Sequence, residues 1–150
     1  MGFALPAAMG AKMGAMNREV VAIIGDGGYQ MTIQELGTIF QTQVAVKIVV
    51  LNNDFLGMVR QWQQLFFDKR YASTEMVNPD FVKIAEAYGI TGIRVTDKAE
   101  VSSAIQTAIN TPGPVIVEFI VRQEENVYPF IPSGQTVNDM IEEPQPEIKV

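Results

Sequence analysis

Two uninterrupted apolar runs constrain the fold of this chain more than any other feature. Residues 20–24 read VVAII and residues 48–51 read IVVL. Short runs that are apolar throughout, rather than at alternate positions, are typical of strands buried on both faces of a parallel sheet. Parallel strands need a crossover connection, and residues 31–40 between the two runs carry apolar side chains at helical spacing. The pattern predicts a βαβ unit.

The remainder of the chain continues this alternation. Helical patterns cover residues 55–67 and a segment that follows Asp97. A further helix is expected to start with Asn78 as N-cap and Pro79 in the first turn. Residues 93–95 and 115–121 have the pattern of strands. We therefore expect residues 1–150 to form a single α/β domain, a parallel β-sheet flanked by helices on both faces. The proline-containing tail from about residue 123 is expected to be loop-rich.

Composition excludes several classes of function. The chain has 0 Cys and 0 His, which removes disulfides, thiolate or imidazole catalysis and Cys/His zinc sites. Any bound metal must then use oxygen ligands, which favours a hard cation such as Mg²⁺. A net charge of −6 argues against nucleic acid or an anionic membrane as partner. No apolar run approaches the ~18 residues of a membrane span. The lack of Cys is compatible with the cytoplasm, where we expect this protein.

The residues that could bind a ligand are concentrated where the two apolar runs end. The first run leads into Gly25-Asp26-Gly27-Gly28 and the second into Asn52-Asn53-Asp54. Consecutive parallel strands bring their carboxyl ends to one edge of the sheet, where ligands bind in open α/β folds. The Asp26 carboxylate and the Asn53 amide oxygen suit Mg²⁺, while Gly27 and Gly28 let backbone N–H groups approach an anion. This combination favours a Mg²⁺–diphosphate site, although each motif alone is also typical of an ordinary turn or cap.

Several motifs then resemble one family. GDG followed by the asparagine pair is similar to the cofactor motif of thiamine-diphosphate enzymes. GMVRQWQ at residues 57–63, NPDF at 78–81, PFIPSG at 129–134 and MGFALPAA at 1–8 resemble the catalytic subunit of acetolactate synthase (acetohydroxyacid synthase). The resemblance covers almost the whole chain. It implies that the chain is the C-terminal, thiamine-diphosphate-binding portion of a longer three-domain enzyme.

The resemblance also implies roles for individual residues. Side chains of Asp26 and Asn53, with the backbone carbonyl of Phe55, would bind Mg²⁺. The other implied cofactor contacts are Met1, Gly2, Gly27, Gly28, Gly57 and Met58. Trp62 matches the tryptophan of the substrate-access channel, whereas its helical spacing with neighbouring apolar residues also fits a plain core position. Arg60 is expected to be solvated.

The implied parent reaction is decarboxylation of pyruvate and condensation with a second 2-keto acid, in branched-chain amino-acid biosynthesis. The activating glutamate would lie in the missing first domain, so we expect no catalytic residue in this chain. FAD would bind the parent's middle domain and not this one. A homodimer is expected, with a possible regulatory subunit.

Three alternatives remain at this stage. Another thiamine-diphosphate decarboxylase, oxidase or carboligase would share GDG and the asparagine but has no reason to carry GMVRQWQ. A truncated, non-catalytic subunit could use its Ala/Gly-rich opening helix as an interaction module. An unrelated Mg²⁺-nucleotide binder is disfavoured because the chain has no G-x-x-x-x-G-K-[ST] loop.

Overall fold

The computed structural model describes residues 1–144, and strands and helices alternate along them. Within residues 1–144, the four strands are β1 (Val21–Gly25), β2 (Lys47–Asn52), β3 (Thr91–Val95) and β4 (Val115–Ile120). The six α-helices of the described part are α1 (Ala4–Gly14), α2 (Asp26–Gln30), α3 (Glu35–Thr42), α4 (Gly57–Phe66), α5 (Phe81–Ala87) and α6 (Val101–Asn110). Short 3₁₀ turns occupy Lys98–Glu100 and Val137–Asp139.

All four strands are parallel and form one sheet in the order β1-β2-β4-β3. Gly25 at the end of β1 pairs with Leu51, so β1 and β2 end at the same edge of the sheet. Asp26 and Asn53 therefore follow their strands at neighbouring positions along that edge. The predicted parallel α/β architecture is confirmed.

Helices cover both faces of the sheet, but unequally. The larger core packs α1, α2, α3 and α5 against one face, with buried residues such as Leu5, Tyr29, Ile48 and Phe81. On the opposite face, α6 covers β3 and β4.

The half of that second face formed by β1 and the end of β2 is exposed. Ile23 retains 67% of its surface and Val21 48%. The prediction that β1 is buried on both faces is therefore wrong, because its outward side chains meet no cover from the described residues.

Helix starts are the other departure from the sequence pattern. A helix begins directly at Asp26, with no intervening turn, and α3 begins only at Glu35. The predicted N-cap Asn78 is not a cap. Asp80 takes that role, since its side chain accepts hydrogen bonds from the amides of Val82 and Lys83. Asn78 uses its side chain elsewhere, as described below.

Residues 121–130, which follow β4, lie along α4 and are called the strap here. Arg60 is fully buried, and its guanidinium donates to the Gln64 side chain at 2.6 Å and the Asn126 side chain at 2.5 Å. The Gln61 amide pairs with the backbone of Val127 in both directions. The expectation that Arg60 is solvated is wrong, because the strap supplies its partners. Residues 145–150, including Pro146 of the predicted loop-rich tail, lie outside the described residues.

Candidate cofactor site at the edge of the sheet

A cleft of about 650 Å³ opens at the edge where β1 and β2 end. Its walls come from the start of the chain, the β1–α2 junction, the start of α4 and the strap. All the residues implied as cofactor contacts line it, namely Met1, Gly2, Asp26, Gly27, Gly28, Asn53, Phe55, Gly57 and Met58. Residues far apart in the sequence are thus brought together at one concave site of a size typical for small-molecule ligands.

Asp26 is the most deeply buried charged group of this cleft, with 1% of its surface exposed. Its Oδ1 accepts from the Gly27 amide at 2.9 Å, and its Oδ2 accepts from Nδ2 of Asn78 at 2.7 Å. Burial raises the pKa of the Asp26 carboxyl, and the hydrogen bonds from Asn78 and Gly27 oppose that rise. An anionic carboxylate held in this way is a suitable ligand for a divalent cation.

Asn53 also lines the cleft and lies on the β2–α4 connection. Its Oδ1 accepts a long bond of 3.3 Å from the Phe55 amide, and its Nδ2 donates to the Gln123 carbonyl at 3.4 Å. Both contacts are near the upper limit for a hydrogen bond, so the amide oxygen is only weakly engaged within the protein. Among residues 1–144, no three His, Cys, Asp or Glu side chains cluster as a metal site. A metal ion in this cleft would therefore have to use a mixed set of carboxylate, amide and backbone oxygens.

Gly27 and Gly28 form a part of the cleft wall that carries no side chains. A Cβ at Gly27 would lie 2.6 Å from Cδ2 of Leu56 and 3.1 Å from Sδ of Met76. A Cβ at Gly28 would lie 3.3 Å from Cγ1 of Ile24. Neighbouring side chains thus leave little room for a Cβ at either position, and the cleft presents bare backbone here, which an anionic group such as a diphosphate can approach closely.

Trp62 is the predicted site residue that the structure does not place in the cleft. It is 36% exposed and packs on Phe66 and Phe130 with ring centroids 5.1 and 5.9 Å apart. This aromatic cluster joins α4 to the strap. Trp62 is thus neither a fully buried core residue nor a wall of the cleft in this chain.

Asn78 is the site residue that sequence reasoning missed. It lies 52 positions from Asp26, yet its side-chain amide contacts that carboxylate directly. The Asn-Pro pair suggested a helix cap, but Asp80 two residues later satisfies the same requirement and leaves the Asn78 side chain free for this contact. The sequence did contain a signal for this, because Asp80 is a second good capping residue only two positions after Asn78.

Comparison with known proteins shows the family of this chain. The family model described as "Thiamine pyrophosphate enzyme, C-terminal TPP binding domain" matches residues 1–119. The acetolactate synthase large subunit of Cyanidium caldarium is 48% identical over 143 residues, which cover 94% of this chain and 24% of that protein. The acetolactate synthase isozyme 2 large subunit of Escherichia coli is 48% identical over 143 residues, covering 95% of this chain and 26% of that protein.

A solved structure supports the fold independently. The thiamine diphosphate-dependent 4-hydroxybenzoylformate decarboxylase of Rhodococcus jostii superposes with a TM-score of 0.75 at 31% identity, over 84% of this chain and 24% of that one. The chain spans about a quarter of the length of the curated relatives it matches. It belongs to the family of C-terminal thiamine-pyrophosphate-binding domains of thiamine pyrophosphate enzymes, and it is homologous to that part of acetolactate synthase large subunits.

Proposed function

We propose that this chain binds thiamine diphosphate through Mg²⁺ in the cleft at the edge of the sheet, as the cofactor-binding part of an acetolactate synthase catalytic subunit. The observation that carries the proposal is the convergence of the Asp26 carboxylate, the Asn53 amide and the bare backbone of Gly27 and Gly28 on one cleft. The GMVRQWQ segment at the start of α4 and identities of 42–48% to acetolactate synthases support this class of enzyme.

Each contact has a distinct role in the proposal. Asp26 and Asn53 hold Mg²⁺ with their side chains and Phe55 with its backbone carbonyl, while Gly27, Gly28, Gly57 and Met58 contact the diphosphate. Met1 and Gly2 line the end of the cleft nearest the chain start. Mg²⁺ neutralises the diphosphate, and the thiazolium ring of the cofactor supplies the carbanion chemistry when bound. The residues of this chain bind and orient the cofactor.

The reaction belongs to the longer protein. We propose decarboxylation of pyruvate and transfer to a second 2-keto acid, in branched-chain amino-acid biosynthesis, as the activity of the whole enzyme. No catalytic residue is assigned to this chain, whose matched region is about a quarter of its relatives. Activation of the cofactor by a glutamate, and FAD binding, are assigned to other domains.

Assembly and compartment complete the proposal. We propose a homodimer with a possible regulatory subunit. No helix within residues 1–144 has both the length and the apolar character to cross a bilayer. A cytoplasmic location remains a prediction from composition alone.

Thermal unfolding of the 150-residue chain tests the binding proposal. At 100 times its dissociation constant, a ligand stabilises by ~2.7 kcal/mol, which raises the Tm of a chain of this size by roughly 5–10 °C. We expect that shift with thiamine diphosphate and Mg²⁺, and its loss in Asp26→Ala. Asp97→Ala removes a carboxylate beyond the end of β3, outside the cleft, and should keep the shift. An equal shift with thiamine lacking the diphosphate, or with the cofactor in EDTA, would contradict the proposal.

A further inference from the structure

The side-chain amide of Asn78 is the centre of a polar cluster behind the cleft. Its Nδ2 lies 2.7 Å from Oδ2 of Asp26, 2.8 Å from Oδ1 of Asn52 and 2.8 Å from Oδ1 of Asp54. Its Oδ1 accepts from Nε2 of Gln30 at 2.6 Å. Asn78 thus joins the segments that follow β1 and β2, the two segments that carry the proposed metal ligands.

The orientation of this amide is determined by its partners. A side-chain amide has two N–H hydrogens, and three oxygens surround Nδ2, so its donor capacity is fully used. The bond from Gln30 requires the oxygen at the opposite position. A flipped Asn78 would place its oxygen against the carboxylates of Asp26 and Asp54, which repels.

The cluster is anchored from the other side of β2. Nδ2 of Asn52 donates to Oε1 of Glu118 at 2.8 Å, and Nε of Arg94 donates to Oε2 of the same carboxylate at 2.7 Å. Glu118 is 1% exposed and belongs to β4 in the middle of the sheet. Because both oxygens of Glu118 are occupied, Asn52 is fixed, and Asn52 in turn accepts from Asn78.

We propose that Asn78 is a positioning residue for the metal site: by holding Oδ2 of Asp26 against the end of β2, it sets the affinity for the divalent cation. The proposal rests on the function proposed above. Residues that orient a metal ligand without touching the metal typically change its affinity 10-fold to 100-fold when removed. Asp26 and Asp54 both accept from the same nitrogen, so loss of Asn78 frees two carboxylates that repel each other.

Binding of Mn²⁺, measured by electron paramagnetic resonance in the presence of thiamine diphosphate, tests this role in the 150-residue chain. We compare wild type, Asn78→Ala and Asn126→Ala. Asn126 is a matched control: it is also partly buried and bridges three side chains, those of Arg60, Gln64 and Tyr128, but it does not contact Asp26. Urea unfolding in EDTA reports the stability of each variant independently of metal.

We expect Asn78→Ala to raise the Kd for Mn²⁺ about 10-fold to 100-fold and to broaden the spectrum of the bound ion, whereas Asn126→Ala lowers stability and leaves the Kd within about twofold. If Asn78→Ala does not unfold cooperatively, Asn78→Ser decides by the same criterion. A Kd within twofold of wild type in the deciding Asn78 variant overturns the positioning role and leaves the proposed function intact. Failure of wild type to bind Mn²⁺ overturns both.

Discussion

Gly27→Ala separates the fold of this chain from its proposed binding function. The added Cβ would lie 2.6 Å from Cδ2 of Leu56 and 3.1 Å from Sδ of Met76. Both atoms belong to side chains that can change rotamer, so the overpacking cost falls toward the lower part of the usual ~1–3 kcal/mol. Gly27 lies inside α2, where alanine regains about 0.5–1 kcal/mol relative to glycine. The net loss of stability should therefore be about 1 kcal/mol or less.

Binding should suffer much more than stability. The new methyl group would displace Leu56, which also lines the cleft, and would lie beside the backbone that is expected to meet the diphosphate. We expect the affinity for Mg²⁺–thiamine diphosphate to fall at least tenfold, which corresponds to about 1.4 kcal/mol. The Tm of the free variant should stay within about 4 °C of wild type, since 1 kcal/mol shifts a chain of this size by roughly 2–4 °C.

Gly37→Ala is the matched control for this prediction. Gly37 lies in α3, and a Cβ there would meet no atom within 4 Å. We expect a gain of about 0.5–1 kcal/mol in stability and an unchanged ligand-induced shift. Differential scanning fluorimetry of the three proteins with and without the cofactor provides both readouts. A Gly27→Ala protein with wild-type affinity would refute the reasoning about the bare backbone at Gly27.

Further variants test the packing around the site. Gly92→Ala would place a Cβ 3.1 Å from the backbone carbonyl of Val82, which cannot move independently of α5, so we expect a loss of about 1–3 kcal/mol in urea unfolding. Arg60→Ala removes a fully buried guanidinium together with its hydrogen bonds to Gln64 and to the strap, and should cost about 3 kcal/mol by the same assay; a loss below ~1 kcal/mol would contradict the role of these contacts. The Arg94 guanidinium lowers the pKa of Asp80 below 3.8, so the stability it contributes is present above pH 3.8 and is lost as pH falls through the lowered pKa. Asp80→Asn retains a capping side chain without the charge, and its Tm should depend less on pH below 3.8 than that of wild type.

The sequence was informative wherever a local pattern determines the structure. Uninterrupted apolar runs predict the parallel strands, and the residues that follow each run then necessarily share one edge. Asp26 and Asn53 were therefore predictable as neighbours. The same reasoning overestimated the burial of Ile23. An apolar side chain favours burial, but its presence in the sequence does not show that another element of the described chain packs over it.

Long-range polar contacts were not predictable. Asn78 donates a hydrogen bond to Asp26, 52 positions away in the sequence, and Arg60 donates one to Asn126, 66 positions away. The neighbouring residues in the sequence fitted a simpler interpretation in each case: Asn78 as a helix cap and Arg60 as a solvated helix residue. Only the folded chain shows that burial and specific partners override those local preferences.

The metal site can be located in a crystal structure of the chain with thiamine diphosphate and Mn²⁺ from the anomalous signal of the metal. We expect one strong peak within ligand distance of both the Asp26 carboxylate and the Asn53 side-chain oxygen, with the diphosphate over Gly27 and Gly28. A Mn²⁺ peak elsewhere on the molecule, or a diphosphate bound without contact to either side chain, would contradict it.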